Sequence, residues 1–265
     1  MNNKPLLLIS GLLLGGTLLT ACGQAVSAIV PAESAGAEKT IENCGRTLSF
    51  AGVPQRAVAM TPGQSEILVR LGLADKVVAE AQTKGQALLP ELASLGTATQ
   101  LTEQGPPSRE VLLGVGPDLV YAPTSYEFTA EQGFASIDQL KAAGADSYIA
   151  TAGCAERRGS AEVTDLLTDI ENMGTIFAAP EQAAALAAEA QEVLEDVQQR
   201  VATAEKPSVA ELFVEGNTVS AIGAGIEYNM IEVAGGENVF SPDDKAFAQF
   251  FSSVISPETL VAKNP

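Results

Sequence analysis

The sequence predicts an α/β protein of two lobes, each built on a parallel sheet and joined by a long helix, and three observations carry that prediction. Short apolar runs alternate with amphipathic helical stretches from Ala57 onward, the rhythm of parallel strands linked by helical crossovers. A ten-residue pattern, S-x-E-x-L-x-x-x-x-P, occurs twice: at Ser108, Glu110, Leu112 and Pro117, and again at Ser256, Glu258, Leu260 and Pro265. Between the copies, Pro180 to Thr203 keeps Leu186, Ala190, Val193, Leu194, Val197 and Val201 on one helical stripe, as a connector between lobes requires.

Taken in order, the chain opens with an export signal. Lys4 precedes an apolar run from Leu6 to Leu19, too short to cross a bilayer comfortably. Leu19-Thr20-Ala21-Cys22-Gly23 resembles a bacterial lipobox, in which Cys22 is lipidated and becomes the first mature residue; an ordinary signal cleaved nearby is the alternative. Residues 1–21 are therefore expected to be a lipoprotein signal peptide, with the mature protein anchored on the outer face of the cell membrane. Residues 22–43, rich in Ala, Ser, Gly and Glu, are expected to be a flexible tether. With Cys22 assigned to lipid, Cys44 and Cys154 remain as an even pair in an exported protein and are expected to form a disulfide, two unrelated buried thiols being the alternative.

The first lobe, 44–158, begins at Cys44. Ala57 to Met60 is a short apolar strand, and Thr61-Pro62-Gly63-Gln64 supplies a cap, a proline at the first helical position and a capping-box glutamine. Ile67, Leu68 and Leu71 form that helix's inward face, Gly72 ends it, and Lys76 to Ala79 is the second strand. Glu80 to Pro107, with several Gly and Pro residues, reads as loop. The first copy of the repeat is a helix start leading into the strand Leu119 to Ala122 and the loop Pro123 to Tyr126. Ile137 and Leu140 then mark a helix closed by Gly144, before the strand Tyr148 to Ala150.

Helical patterns over Glu162 to Met173 and Pro180 to Thr203 assign 159–206 to a helical connector. The second lobe, 207–265, starts with strands at Val209 to Val214 and Val219 to Ile222, followed by Gly223-Ala224-Gly225 and a helix from about Tyr228 to Val233. That turn falls short of G-x-G-x-x-G because position 228 is tyrosine, so it reads as a tight turn bringing backbone near a ligand, not as a dinucleotide site. The second copy of the repeat ends at Pro265 with no strand behind it, so this lobe is expected to be truncated.

Composition narrows the function. The chain has 265 residues and no histidine, which removes the commonest transition-metal ligand and the usual neutral-pH general base, and with them imidazole-held metals and Ser-His or Cys-His hydrolases. No nucleophile-base constellation is visible, so no enzyme and no cofactor are expected. A formal charge of −18 argues against a nucleic-acid partner. Glu110 and Glu258, each in the first turn of a helix, read either as local stabilisers on the helix dipole or as matched acidic contacts for a two-fold partner.

Several ordered segments carry a resemblance: Pro54-Gln55-Arg56-Ala57-Val58, EILVRLGLADKVV (Glu66 to Val78), PDLVYAP (Pro117 to Pro123), LKAAGADSYIA (Leu140 to Ala150), EVAGGENVF (Glu232 to Phe240) and the terminal SPETLVAKNP. From Cys44 to Pro265 the chain resembles the periplasmic binding proteins for ferric siderophores, haem and cobalamin that serve ABC importers. The resemblance implies two Rossmann-like lobes in the class III periplasmic-binding-protein fold, joined by a rigid helix, with a shallow cleft for a bulky metal chelate. It also implies a monomer that docks on a permease dimer through one glutamate per lobe, Glu110 and Glu258. By topology the expected ligand contacts are Met60, Thr61, Gln64, Tyr126, Gly225, Tyr228 and Phe250, with Arg46, Arg56 and Arg109 as candidates for an anionic ligand. Scarce cations and absent histidine favour a neutral or cationic ferric hydroxamate, or a corrinoid, over a tri-anionic catecholate. A surface-tethered sensory or interaction protein that retains the fold without importing anything is the reading from a different class.

Overall fold

The computed structural model describes residues 39–249 and 253–265, so the signal segment, Cys22, most of the expected tether and Phe250 lie outside the described residues. The reading of 22–43 as tether is corrected at its end. β1 (Lys39–Asn43) and β2 (Arg46–Phe50) form an antiparallel hairpin whose two turn residues, Cys44 and Gly45, are both left-handed. Five residues are too few to show a period, yet Ile41, Leu48 and Phe50 enter the core. Asn43 holds the hairpin to an edge of the main sheet: its Nδ2 donates to the Ile149 carbonyl at 2.7 Å, and its Oδ1 accepts from the Ile149 N–H at 2.9 Å. One side chain thus stands in for a neighbouring strand.

The main sheet is built from β3 (Ala57–Ala59), α1 (Pro62–Arg70), β4 (Val77–Glu80), α2 (Pro90–Leu95), β5 (Thr99–Gln100), α3 (Arg109–Gly114), β6 (Leu119–Ala122), α4 (Ile137–Ala142) and β7 (Asp146–Ile149). Its strands are all parallel, in the order β5-β4-β3-β6-β7. The chain winds outward from β3 through β4 to β5, then crosses back to β6 and β7, so the winding reverses between β3 and β6. The stretch from Glu80 to Pro107 is more ordered than its Gly and Pro content suggests, because Pro90 starts α2 and Leu92 anchors it in the core. Thr61 does precede α1, but its hydroxyl donates to Gln64 Oε1 and caps no backbone N–H.

α5 (Asp165–Ile176) and α6 (Pro180–Val201) follow; at 1.5 Å per residue, α6 is about 33 Å long. Among the described residues no helix is long and apolar enough to cross a membrane. Leu68 and Leu71 of α1 pack with Ile170, Met173 and Ile176 of α5 and Leu186 of α6 over one face of the sheet. Leu112 of α3 and Leu140 of α4 cover the other. Along β6, Leu119 and Tyr121 point to the first face and Val120 and Ala122 to the second, the alternation of a strand buried on both sides. Cys44 and Cys154 are bonded across 110 residues, tying the hairpin turn to the chain beyond β7.

β8 (Ser208–Val209), β9 (Glu211–Glu215), β10 (Thr218–Ile222), α7 (Ile226–Val233), β11 (Glu237–Asn238), β12 (Ser253–Val254) and α8 (Pro257–Lys263) complete the described chain. The expected parallel sheet of the second lobe is corrected here. β12-β10-β9 is antiparallel, and the parallel pairing present is the short β11-β8 ladder. The reason is local: β9 and β10 are joined by two residues, Gly216 and Asn217, with Gly216 at φ 58°, and so short a link permits only a hairpin.

Candidate functional site

A cleft of about 240 Å³ lies at the carboxyl ends of β3, β6 and β7 and is closed on its far side by the first turn of α7. Gln64 reaches it from α1, Pro123 and Thr124 from the end of β6, and Ala150, Ala152 and Gly153 from the end of β7. Arg158, Ile226 and Glu227 complete the lining. Ligands of open parallel sheets sit beyond the carboxyl ends of the strands where the winding reverses, and here that point falls between Gln64 and Thr124.

Backbone packing fixes the shape of the cleft. A Cβ on Gly153 would stand 1.9 Å from the Pro123 carbonyl oxygen and 2.8 Å from Thr124 Cα, so the β6 and β7 ends touch main chain to main chain. Opposite them, Gly225, at φ 82°, donates its N–H to the Gly159 carbonyl at 3.2 Å, while Asn229 Oδ1 accepts from the Val163 N–H at 2.9 Å. These two bonds hold α7 against the segment carrying Arg158. The lip after β6 is stiffened by Glu127, whose Oε2 accepts from the Thr124 N–H at 3.1 Å and the Thr124 hydroxyl at 2.6 Å.

Several cavities are larger, at about 280–370 Å³, and two of them adjoin the core of the main sheet. One, about 370 Å³, lies between β2 and α4, but its polar groups already pair: Lys141 with Asp146 at 2.7 Å, and Arg46 with Ser147 Oγ at 3.0 Å. The other, about 330 Å³, lies among α1, α5 and α6 against Ile67, Ile170 and Leu186. In the cleft, by contrast, a buried polar atom has no partner: Glu227 Oε2. Burial pushes the Glu227 carboxyl above its usual range and Glu211 adds to the effect, against its own backbone N–H and the field of Arg158.

The expected contacts are distributed unevenly. Gln64 lines the cleft, Thr61 is bonded to it, and Gly225 caps the helix that closes it. Met60 is corrected: it is fully buried with Val58, Ala79 and Leu112, because β3 turns it to the sheet face opposite α1. Tyr126 is 49% exposed and packs edge to face on Phe134 at 5.6 Å, outside the cleft lining. Tyr228 is half-buried on α7 and also outside that lining. Arg46 and Arg56 are structural, Arg46 donating to Ser147 and Arg56 to the Gly116 and Val115 carbonyls. Sequence reasoning missed the wall from Ala150 to Gly153 and the charged pair Arg158 and Glu227. The same rule that selected the ends of β3 and β6 would have selected the end of β7.

Glu110 and Glu258 occupy equivalent local settings. Each lies in the first turn of its helix behind a serine cap, Ser108 Oγ accepting from Val111 N at 3.4 Å and Ser256 Oγ from Thr259 N at 3.2 Å. Both are exposed. The carboxyl of Glu110 is held below its usual range by its own backbone N–H and by Arg109, 2.7 Å away, and that of Glu258 by the Ser256 hydroxyl and its own N–H. Both are therefore ionised, outward-facing acids at neutral pH. Arg109 accordingly pairs with Glu110 and is not among the residues lining the cleft.

Comparison with known proteins agrees with this fold. The chain is 25% identical over 218 residues to the vitamin B12-binding protein of Vibrio campbellii, spanning 82% of this chain and 71% of that protein. Its fold is similar to a periplasmic binding protein from Veillonella parvula, with a TM-score of 0.71, 21% identity and coverage of 86% and 74% of the two chains. It is also similar to an ABC-type Fe3+-hydroxamate transport system protein from Saccharomonospora viridis, with a TM-score of 0.66, 23% identity and coverage of 85% and 77%. Residues 58–265 match the family described as periplasmic binding protein, and the chain belongs to that family.

Proposed function

We propose that the protein is the substrate-binding lipoprotein of an ABC importer, capturing a metal chelate, a ferric siderophore or a corrinoid, in this cleft and delivering it to a permease dimer. The observation that carries the reading is the cleft at the winding reversal, with an unpartnered buried carboxylate oxygen in its wall. Similarity to the vitamin B12-binding and Fe3+-hydroxamate transport proteins supports the ligand class. At about 240 Å³ the cleft is smaller than the roughly 300–1,000 Å³ of enclosing small-molecule sites, so a bulky chelate rests in it by one edge.

In this reading Cys22 carries the lipid that retains the protein on the outer face of the membrane. Residues 44–158 and 207–265 are the two lobes, 159–206 connects them, and the protein works as a monomer. Glu110 and Glu258 each meet a cation on one permease subunit; their exposure, ionisation and matched caps support that role over helix stabilisation alone. The test is charge reversal, Glu110→Lys with Glu258→Lys, in cells whose growth needs the chelate. Uptake is expected to be lost while the purified variant binds chelate as tightly as the wild type, and unchanged uptake would remove the docking role.

A further inference from the structure

Glu227 is a carboxylate only partly supported by its surroundings: burial opposes the charge, and the first turn of α7 and its own backbone N–H favour it. It stands in the first turn of α7 with Oε2 buried and without a hydrogen-bond partner, and Glu211 adds a second negative charge to its surroundings. Arg158 lies across the same wall, and its field moderates this cost without removing it. The remaining walls carry no charge: Pro123, Ala150, Ala152, Gly153 and Ile226 have no polar side chain, Gln64 is neutral with Oε1 accepting from the Thr61 hydroxyl, and Thr124 Oγ1 is engaged by Glu127 and by the Tyr126 N–H. A buried acceptor left unsatisfied costs free energy until something donates to it, and Glu227 is part of the cleft lining.

We propose that Glu227, set against Arg158, is the selectivity group of the cleft: it accepts a nitrogen-bound hydrogen, from an ammonium or a carboxamide on the ligand's rim, and turns away poly-anionic chelates. This rests on the reading of the cleft as the chelate site. The Gly225–Gly159 and Asn229–Val163 bonds fix α7 in position, so the acceptor is in place before the ligand arrives. A tri-anionic chelate seated on the same edge would set its charge against an unneutralised carboxylate in a partly desolvated wall.

Calorimetric titration of the purified protein and of the Glu227→Ala and Glu227→Gln variants tests this. The probes are a ferric trihydroxamate with a pendant ammonium, the same chelate with that amine acetylated, cyanocobalamin with its carboxamide rim, and a ferric tris-catecholate. The wild type is expected to bind the ammonium chelate or cyanocobalamin and to bind the tris-catecholate at least about 100-fold more weakly. Loss of a charge-assisted acceptor in Glu227→Ala should weaken the preferred probe by about 10- to 100-fold. The Gln variant separates the two donors. If the ligand brings an ammonium, Gln still accepts but loses the ionic component, weakening binding by about 10-fold, and amine acetylation weakens wild-type binding; if it brings a carboxamide, the Gln carbonyl still accepts and affinity stays within about threefold. Preference for the tris-catecholate, or an Ala variant within about threefold of wild type on the preferred probe, overturns the selectivity role while leaving the cleft reading standing. If no probe binds the wild type, the cleft reading itself falls and the inference with it.

Discussion

Gly153→Ala should damage both stability and the cleft, and the size of the effect follows from the contact it would create. The new Cβ would lie 1.9 Å from the Pro123 carbonyl oxygen and 2.8 Å from Thr124 Cα, so the β6 and β7 ends must separate by about 1.5 Å to restore 3.4 Å of ordinary contact. Overpacking typically costs about 1–3 kcal/mol, and here the neighbours are backbone fixed by the sheet, so a loss of at least about 3 kcal/mol is expected. Gly63→Ala, in the first turn of α1 and outside the cleft lining, is the control. Its Cβ would meet nothing nearer than Thr61 Oγ1 at 3.7 Å, and in the first turn of α1 alanine should be neutral or stabilise by up to about 1 kcal/mol. Urea denaturation followed by circular dichroism measures both. Equal stabilities for the two variants would refute the reasoning that main-chain contact shapes this wall.

Three further outcomes are expected. Asn43→Ala strips the Ile149 N–H and C=O of their partners, and at about 1–3 kcal/mol for each buried group a loss of about 2–6 kcal/mol should appear in the same assay. Replacing both Cys44 and Cys154 with serine releases a 110-residue span and should destabilise by about 5 kcal/mol, in line with the loop-closure entropy of so long a link, and thermal unfolding under non-reducing conditions checks it. Burial raises the Asp169 carboxyl to about 6, despite donors from Thr151 and Tyr148. A raised folded-state value means that its contribution is fully present below the ordinary 3.8 and is lost as pH rises through about 6. The stability difference between the wild type and Asp169→Asn should therefore change by on the order of 3 kcal/mol between pH 4 and pH 7, with the wild type relatively better at the acid end.

The main sheet was legible because its signals are short-range and redundant. Pro62 behind Thr61, the run Leu119 to Tyr121 and the pair Ile137 and Leu140 closed by Gly144 each mark an element without reference to the rest of the chain. The hairpin of β1 and β2 was not, since its partners were each only five residues long and its anchor, Asn43, acts on a residue 106 positions away. In the second lobe, a strand-turn-helix rhythm suggested parallel pairing, but the two-residue Gly216-Asn217 link decided the direction. Topology alone was enough to bring Gln64 and Thr124 to the cleft, whereas the burial of Met60 depends on the pleat and was not legible. Arg158 and Glu227 carry no local motif; they share the cleft lining because α7 is bonded to the segment around Gly159 and Val163, a tertiary fact.

The most direct measurement is hydrogen exchange of the purified protein with and without a ferric hydroxamate, haem or cobalamin that it binds with one-to-one stoichiometry. Protection is predicted at the start of α1, at Pro123 to Thr124, at Ala150 to Gly153 and across the first turn of α7. Saturable binding that protects other surfaces and leaves these segments unchanged would contradict the placement of the ligand site.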